Sequence, residues 1–186
     1  GQVATDLTGD RALTRELLAR AGLPVPRGDV VVDSDAAVAL AARLGRAVVL
    51  KPARRVRASH SAPGTRAERL AARGITLGVA GEDAVRTAFD RAARHGRRVL
   101  VERQIGGGSW RAQVVADRVL SIERLDAVPA AGNGNGAGGA LGPALPGGPT
   151  LLHEETARAC VRAARAIGLD SAAVDFVCAD IGRPLE

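Results

Sequence analysis

The stretch Ala47-Val-Val-Leu-Lys-Pro52 decides the class of fold. Ala47 to Leu50 is an apolar run of strand length with two β-branched valines, suited to a buried strand and too short for a helix. It delivers Lys51 at its end, and Pro52, which has no N–H to donate, is expected to prevent the strand from continuing as a paired central element. Lys51 stands out in composition as well. Of 26 Lys and Arg residues, 25 are Arg. With 37 Ala, 23 Gly, no Tyr and no Met, the chain uses arginine wherever arginine serves, so a retained lysine is a candidate for work that a guanidinium cannot do.

On the N-terminal side, Thr8 to Ala21 places Leu13, Leu17 and Leu18 on one helical face, and Gly22, Pro24 and Pro26 stop it. Val30 to Val32 is a short strand. Ser34 is expected to cap a helix through Leu44, with Ala37, Val38, Ala41 and Leu44 on one side and Gly45 at its end. On the C-terminal side, residues 53–73 read as a polar, arginine-rich loop with a helical turn near Thr65 to Ala72. Ile75 to Val79 is a strand, and Glu82 to Arg94 a helix with Val85, Ala88, Phe89 and Ala92 inward, ended by Gly96. Arg98 to Glu102 is a strand, and Gly106 to Gly108 a mobile connector. Ala112 to Val115 and Arg118 to Glu123 form a hairpin around Ala116-Asp117. Ala127 to Thr150 is rich in Gly, Pro, Ala and Asn and reads as flexible. His153 to Ile167 is a last helix, and Ala172 to Cys178 a last strand with Asp175 in its middle. This order predicts an α/β fold built of two α+β lobes, the first over residues 1–104 and the second over 105–186.

At 186 residues the chain can bury a sizeable core. It has no run of 18 apolar residues and no basic-then-apolar leader, so neither a membrane span nor a secretory signal is expected, and the reading is cytoplasmic. Two cysteines, Cys160 and Cys178, frame no disulfide scaffold. The formal charge of +6 is spread along the chain, and the only ring side chains besides histidine are Phe89, Trp110 and Phe176. Proteins that bind single-stranded nucleic acid interleave basic and stacking aromatic residues, so no nucleic-acid partner is expected. The charge instead suits an anionic ligand or solvated helix faces.

Several stretches carry a family resemblance. Asp10-Arg-Ala-Leu-Thr-Arg15 with Ala-Gly-Leu-Pro-Val-Pro26, Val48-Val-Leu-Lys-Pro52, Val99-Leu-Val-Glu-Arg103, Ala163-Ala-Arg-Ala-Ile-Gly-Leu-Asp170, Val174-Asp-Phe-Val177 and Asp180-Ile-Gly-Arg-Pro184 follow one another in an order and spacing that resembles the ATP-grasp domain of cyanophycin synthetases and their relatives. The resemblance implies a fold that sandwiches ATP between two lobes, here with its C-terminal part incomplete. It also implies activation of a carboxylate as an acyl phosphate, which an amine attacks to give an amide. ATP and Mg²⁺ are the implied cofactors and an amino acid, peptide or polymer the implied substrate; a homo-oligomer is compatible with it.

Phosphoryl transfer to a carboxylate brings anions together, so cations and alignment are what the protein must supply. The resemblance places Lys51 and Arg11 on the nucleotide phosphates, Arg11 standing where relatives have a lysine. Arg73-Gly74 falls at the end of the glycine-rich loop that covers those phosphates. Glu102, Arg103 and Ile105 fall in the segment that reads the adenine edge, largely through backbone groups. Arg111 matches an arginine facing phosphates or substrate, and Asp175 a Mg²⁺ ligand. Alternation along the strand puts Asp175 opposite Val174 and Phe176, toward a cleft while they pack inward. Unpaired in an apolar run, its carboxylate would be costly to bury.

Departures from the family pattern are as specific. Residues 53–72 replace a short glycine-rich loop with a longer one holding Arg54, Arg55, Arg57, Arg66 and Arg69. The acid that holds the ribose hydroxyls falls at Gly108, and its acidic neighbour at Ser109. The family's remaining metal ligands, a Glu and an Asn, would lie beyond Glu186. His153 and Cys160 have no third orienting group and make no catalytic pair. His153-Glu154-Glu155 reads as a helix start with first-turn acids. A ligase domain is therefore the first expectation, and a non-catalytic ATP-grasp-like binding module the second.

Overall fold

The computed structural model describes residues 8–45, 47–56, 65–126 and 152–185. The Gly/Pro/Ala/Asn-rich segment and Arg57 lie outside the described residues. Two compact units divide the chain, Gly1–Ala19 with Val25–Gln104 and Arg20–Pro24 with Ile105–Glu186.

The first unit holds α1 (Arg11–Arg20), β1 (Gly28–Val31), α2 (Ser34–Leu44), β2 (Val48–Pro52), α3 (Arg66–Ala71), β3 (Thr76–Val79), α4 (Glu82–Ala93) and β4 (Val99–Arg103). Its strands lie in the order β1-β4-β2-β3 with every pair antiparallel. Alternation divides the sheet into two faces. Val48, Leu50, Val99 and Val101 point to α2 and α4 and form the core with Ala37, Leu40, Val85, Ala88, Phe89 and Ala92. The four inward residues read from α4 are its four buried ones. Each buried side chain the size of Val or Phe contributes roughly 2 kcal/mol through burial.

The strand around Lys51 differs from its sequence reading. β2 is central, between β4 and β3, and runs through Lys51 to Pro52, which pairs with Val99. The next bond to β4 is made by the Ala53 N–H to the Arg98 carbonyl at 2.8 Å. The missing Pro52 N–H would thus face β3, where the ladder has already ended at Leu50 and Thr76. A proline is tolerated there because no partner waits for it.

Other boundaries shift for local reasons. Asp33, not Ser34, caps α2, its carboxylate accepting the Ala36 N–H at 2.7 Å. α3 begins in a capping box, Thr65 and Glu68 each accepting the other's backbone N–H. α1 buries none of its residues, and Leu13 is exposed. None of the described helices is long and apolar enough to cross a membrane.

The second unit holds β5 (Gly108–Val115), β6 (Arg118–Arg124), α5 (Glu154–Ala166) and β7 (Ser171–Cys178), with β5 central in an antiparallel β6-β5-β7 sheet. Ala112, Val114, Cys160 and Ala164 pack together, and Trp110, Ile122, Leu152 and Cys178 form a neighbouring cluster. The glycine connector makes close backbone approaches. Gly108 opens β5 opposite Cys178, and Gly107, at φ +123°, lies so close to Cys178 that a Cβ would strike its carbonyl. Glycine is required there to let two backbones touch.

Candidate functional site

Lys51 and Glu102 share the sheet face turned away from the core. The register sets Val49 opposite Glu102 and Lys51 opposite Leu100, so Lys51 and Glu102 are diagonal neighbours, within reach of a long side chain. Their charged ends meet, Lys51 Nζ lying 2.6 Å from Glu102 Oε2. The Glu102 side chain is only 7% exposed, and Arg15 Nε approaches its other oxygen at 3.7 Å. β1 pairs beside this residue, Gly28 lying opposite Glu102. A Cβ at Gly28 would stand 2.7 Å from the Glu102 Cα and 2.9 Å from its Cγ, which explains the glycine.

Arg11 reaches the same region from the start of α1. One guanidinium nitrogen donates to the Pro52 carbonyl at 2.7 Å and to the Arg54 carbonyl at 3.1 Å, and its backbone N–H donates to Ala53. Burial foremost, with the neighbouring charges of Arg55 and Arg73, pushes its pKa down to about 10, and Glu102 partly offsets them. Cationic charge therefore accumulates beside the end of β2. Arg73 contributes through its charge. Gly74 does not offer its backbone: its N–H donates to the Ala71 carbonyl at 2.9 Å, and the residue is buried against Pro52, Ala92 and His95. A glycine read as part of a phosphate lid is here a tight packing position at φ +71°.

At the end of β4, the Arg103 N–H donates to the Arg27 carbonyl at 2.7 Å, and the Gln104 N–H to Ala47 at 2.9 Å. Of the backbone groups read there as adenine contacts, the Arg103 N–H is thus committed to the sheet. Ile105 lies in the second unit and is exposed.

In the second unit the register puts Arg111 opposite Asp175 on one side and Glu123 on the other. The sequence assigns Arg111 and Asp175 separate roles, but the structure joins them. Arg111 Nε donates to Asp175 Oδ1 at 2.7 Å, and a terminal nitrogen to Oδ2 at 3.0 Å, a bidentate pair. This hydrogen bond raises the Arg111 pKa against the opposing effect of burial. The expected alternation is seen: Asp175 is exposed while Val174 and Phe176 pack inward. Among the described residues no group of three or more His, Cys, Asp or Glu could hold a metal. Asp175 offers one carboxylate, which suits a Mg²⁺ carried mainly by phosphate oxygens and water but not an all-protein cage. Where the family acid would fall, Gly108 lies under Trp110, and the Ser109 N–H donates to Asp126 at 3.1 Å.

Cys160 is buried and its thiol is held in the neutral form. Burial, and then the neighbouring Cys178, raise its thiol pKa to about 11. His153 instead caps α5, its Nδ1 accepting the Glu155 N–H at 3.2 Å. Because folding raises the Cys160 pKa from about 9, the neutral thiol's contribution is complete below pH 9 and lost as pH climbs toward 11. Native Cys160 is expected to resist a disulfide reagent at pH 8 and to react fully in denaturant. Fast native labelling would contradict this burial.

Arg15 is the residue that sequence reading passed over. Its signal was available, since it lies four residues from Arg11 and thus on the same helical face.

No family model matches the chain. It is 32% identical over 140 residues to the cyanophycin synthetase of Geminocystis herdmanii, a match covering 74% of this chain and 14% of that relative. Among solved structures, the ATP-grasp ligase PsnB complexed with precursor peptide PsnA2 and AMPPNP superposes with a TM-score of 0.57 at 23% identity, over 94% of this chain and 46% of that one. The same ligase has also been solved with Mg and ADP. D-alanine–D-alanine ligase from Bacillus anthracis complexed with ATP gives 0.62 at 14% identity, over 95% and 51%. The chain thus spans about a seventh of the curated relative and about half of these two solved chains.

Proposed function

From a chain that carries a partial, diverged ATP-grasp fold similar in sequence to cyanophycin synthetase, we infer an ATP-dependent carboxylate-amine ligase domain. In the proposed reaction a substrate carboxylate oxygen attacks the γ-phosphorus of ATP and ADP leaves. An amine then attacks the acyl carbon, phosphate leaves, and an amide bond forms. The substrate class is an amino acid or a peptide, in keeping with a PsnB structure that holds a precursor peptide.

The observation that carries this reading is Lys51 at the end of a central strand, its ammonium on Glu102, with the positive charges of Arg11, Arg55 and Arg73 nearby. A compact ammonium fits between phosphate oxygens from a narrow slot, where a planar guanidinium needs more room. In this reading Lys51 and Arg11 hold phosphates, Arg73 adds charge, and Glu102 orients Lys51 at the start of the segment that reads the adenine edge. The Arg103 carbonyl and the Ile105 N–H serve the adenine edge. A Mg²⁺ accompanying the nucleotide would neutralise developing phosphate charge, with Asp175 as its protein oxygen. Arg111, held by Asp175, then has to exchange part of that pairing for an anionic substrate or phosphate group.

The test is titration of the chain with Mg·ATP, together with its thermal midpoint with and without Mg²⁺. Binding is expected in the micromolar to millimolar range, and Asp175→Asn is expected to remove the Mg²⁺-dependent part of the stabilisation. An unchanged shift in Asp175→Asn would remove Asp175 from the metal. No binding at millimolar nucleotide would favour the second reading, a non-catalytic module, for which the closed Arg111–Asp175 pair is the supporting observation.

A further inference from the structure

A concavity of about 380 Å³ on the first unit is lined by three arginines, Arg15, Arg27 and Arg43, with Asp29 as its one carboxylate. Leu40 and Leu44 of α2 form an apolar floor. Several other described arginines are held by carboxylates. Arg86 meets Asp35 and Glu82, Arg111 meets Asp175, Arg124 meets Asp126, and Arg165 meets Asp117. Here, among the described residues, no carboxylate forms an ion pair with Arg27 or Arg43. Asp29 is itself partly committed, its Oδ1 accepting the Val30 N–H at 2.7 Å. Arg15 keeps a hydrogen bond from Nε to the Pro26 carbonyl at 3.0 Å and stands 3.7 Å from Glu102.

Three guanidiniums against one carboxylate leave the pocket with a formal charge of +2. A low-dielectric floor concentrates that field, and Arg presents a planar fork that matches carboxylate and phosphate oxygens in pairs. The volume lies within the range of small-ligand sites. We propose that this pocket binds a small multivalent oxyanion, a molecule carrying two or more carboxylate or phosphate groups, with Arg27 and Arg43 as principal contacts and Arg15 closing the inner end. The proposal needs no ATP: its principal contacts are Arg27, just before β1, and Arg43 on α2, and only Arg15 of α1 approaches Glu102 of the nucleotide reading.

Binding is tested by calorimetry at low ionic strength, with citrate as the carboxylate probe and inorganic phosphate or pyrophosphate as the phosphate probes. Salt screens an exposed site strongly, so affinity should fall as salt rises. Arg27→Gln with Arg43→Gln is expected to weaken binding of the preferred probe about tenfold or more, and Asp29→Asn to tighten it about threefold. Arg118→Gln, on β6 of the second unit, should leave that binding in place. Two results would each overturn the proposal: no binding of any probe at 10 mM, or equal binding by the double variant, which would put the anion at another cationic site such as the end of β2. Preference for citrate over pyrophosphate, or the reverse, decides which oxyanion the site takes.

Discussion

Lys51→Ala is expected to lower Mg·ATP affinity at least tenfold in titration calorimetry and to lower the thermal midpoint in the same sample. Both effects come from one atom. The Lys51 ammonium lies 2.6 Å from a carboxylate that is 7% exposed, and once it is gone the nearest cation is Arg15 at 3.7 Å. A buried charge deprived of its partner costs on the order of 3 kcal/mol, and the partial exposure of Lys51 brings this toward about 2 kcal/mol. Lys51→Arg separates the two consequences. It keeps a cation for Glu102, so the midpoint should stay near that of the parent, while the wider guanidinium should still weaken nucleotide binding several-fold. If Lys51→Arg binds Mg·ATP as well as the parent, the single lysine has no task that arginine cannot perform. The loss in Lys51→Ala would then be structural.

Gly74→Ala should be among the most destabilising single-methyl changes in the first unit. Gly74 has φ +71°, and its added Cβ would lie 2.6 Å from His95 Cδ2, 3.1 Å from Pro52 Cγ and 3.2 Å from the Ala92 Cα. The left-handed backbone alone costs about 1 kcal/mol for alanine, and the last two neighbours are a ring and a helix backbone that yield little. A total of roughly 3 kcal/mol corresponds to a midpoint about 6–12 °C lower in scanning calorimetry. His95 is exposed and its side chain can rotate, so His95→Ala should recover part of the loss. Were Gly74→Ala to keep its midpoint yet lose nucleotide binding, Gly74 would be a phosphate-loop donor and its packing role would be refuted.

The comparison of these two positions shows what was legible in the sequence. Local periodicity revealed the inward face of α4 and the outward Asp175, because each depends only on residues a few places apart. The meeting of Lys51 with Glu102 and of Arg111 with Asp175 depends on which strands become neighbours and in what register, and neither follows from a single strand's pattern. Gly74 misled for a related reason. Its neighbours by sequence suggested a loop over phosphates, but its N–H was claimed by the end of α3 and its Cα by residues about twenty positions away on either side. The cap at Asp33 was missed by one place because Asp and Ser both accept N–H bonds well. The resemblance to ATP-grasp sequences supplied the fold, and the corrections came from hydrogen bonds.

The eight-residue pairing of β5 with β7 has a consequence for how the second unit reaches a single structure. Sliding β5 by one place would turn Trp110 out to water and drive Arg111 into the apolar layer beneath α5; sliding β7 would do the same to Phe176 and Asp175. Every residue on the strand that slid would then face the wrong side. The bidentate pair thus works as a proofreading device: whatever it does for a ligand, it makes the neighbouring alignments of the sheet prohibitive and leaves one register accessible.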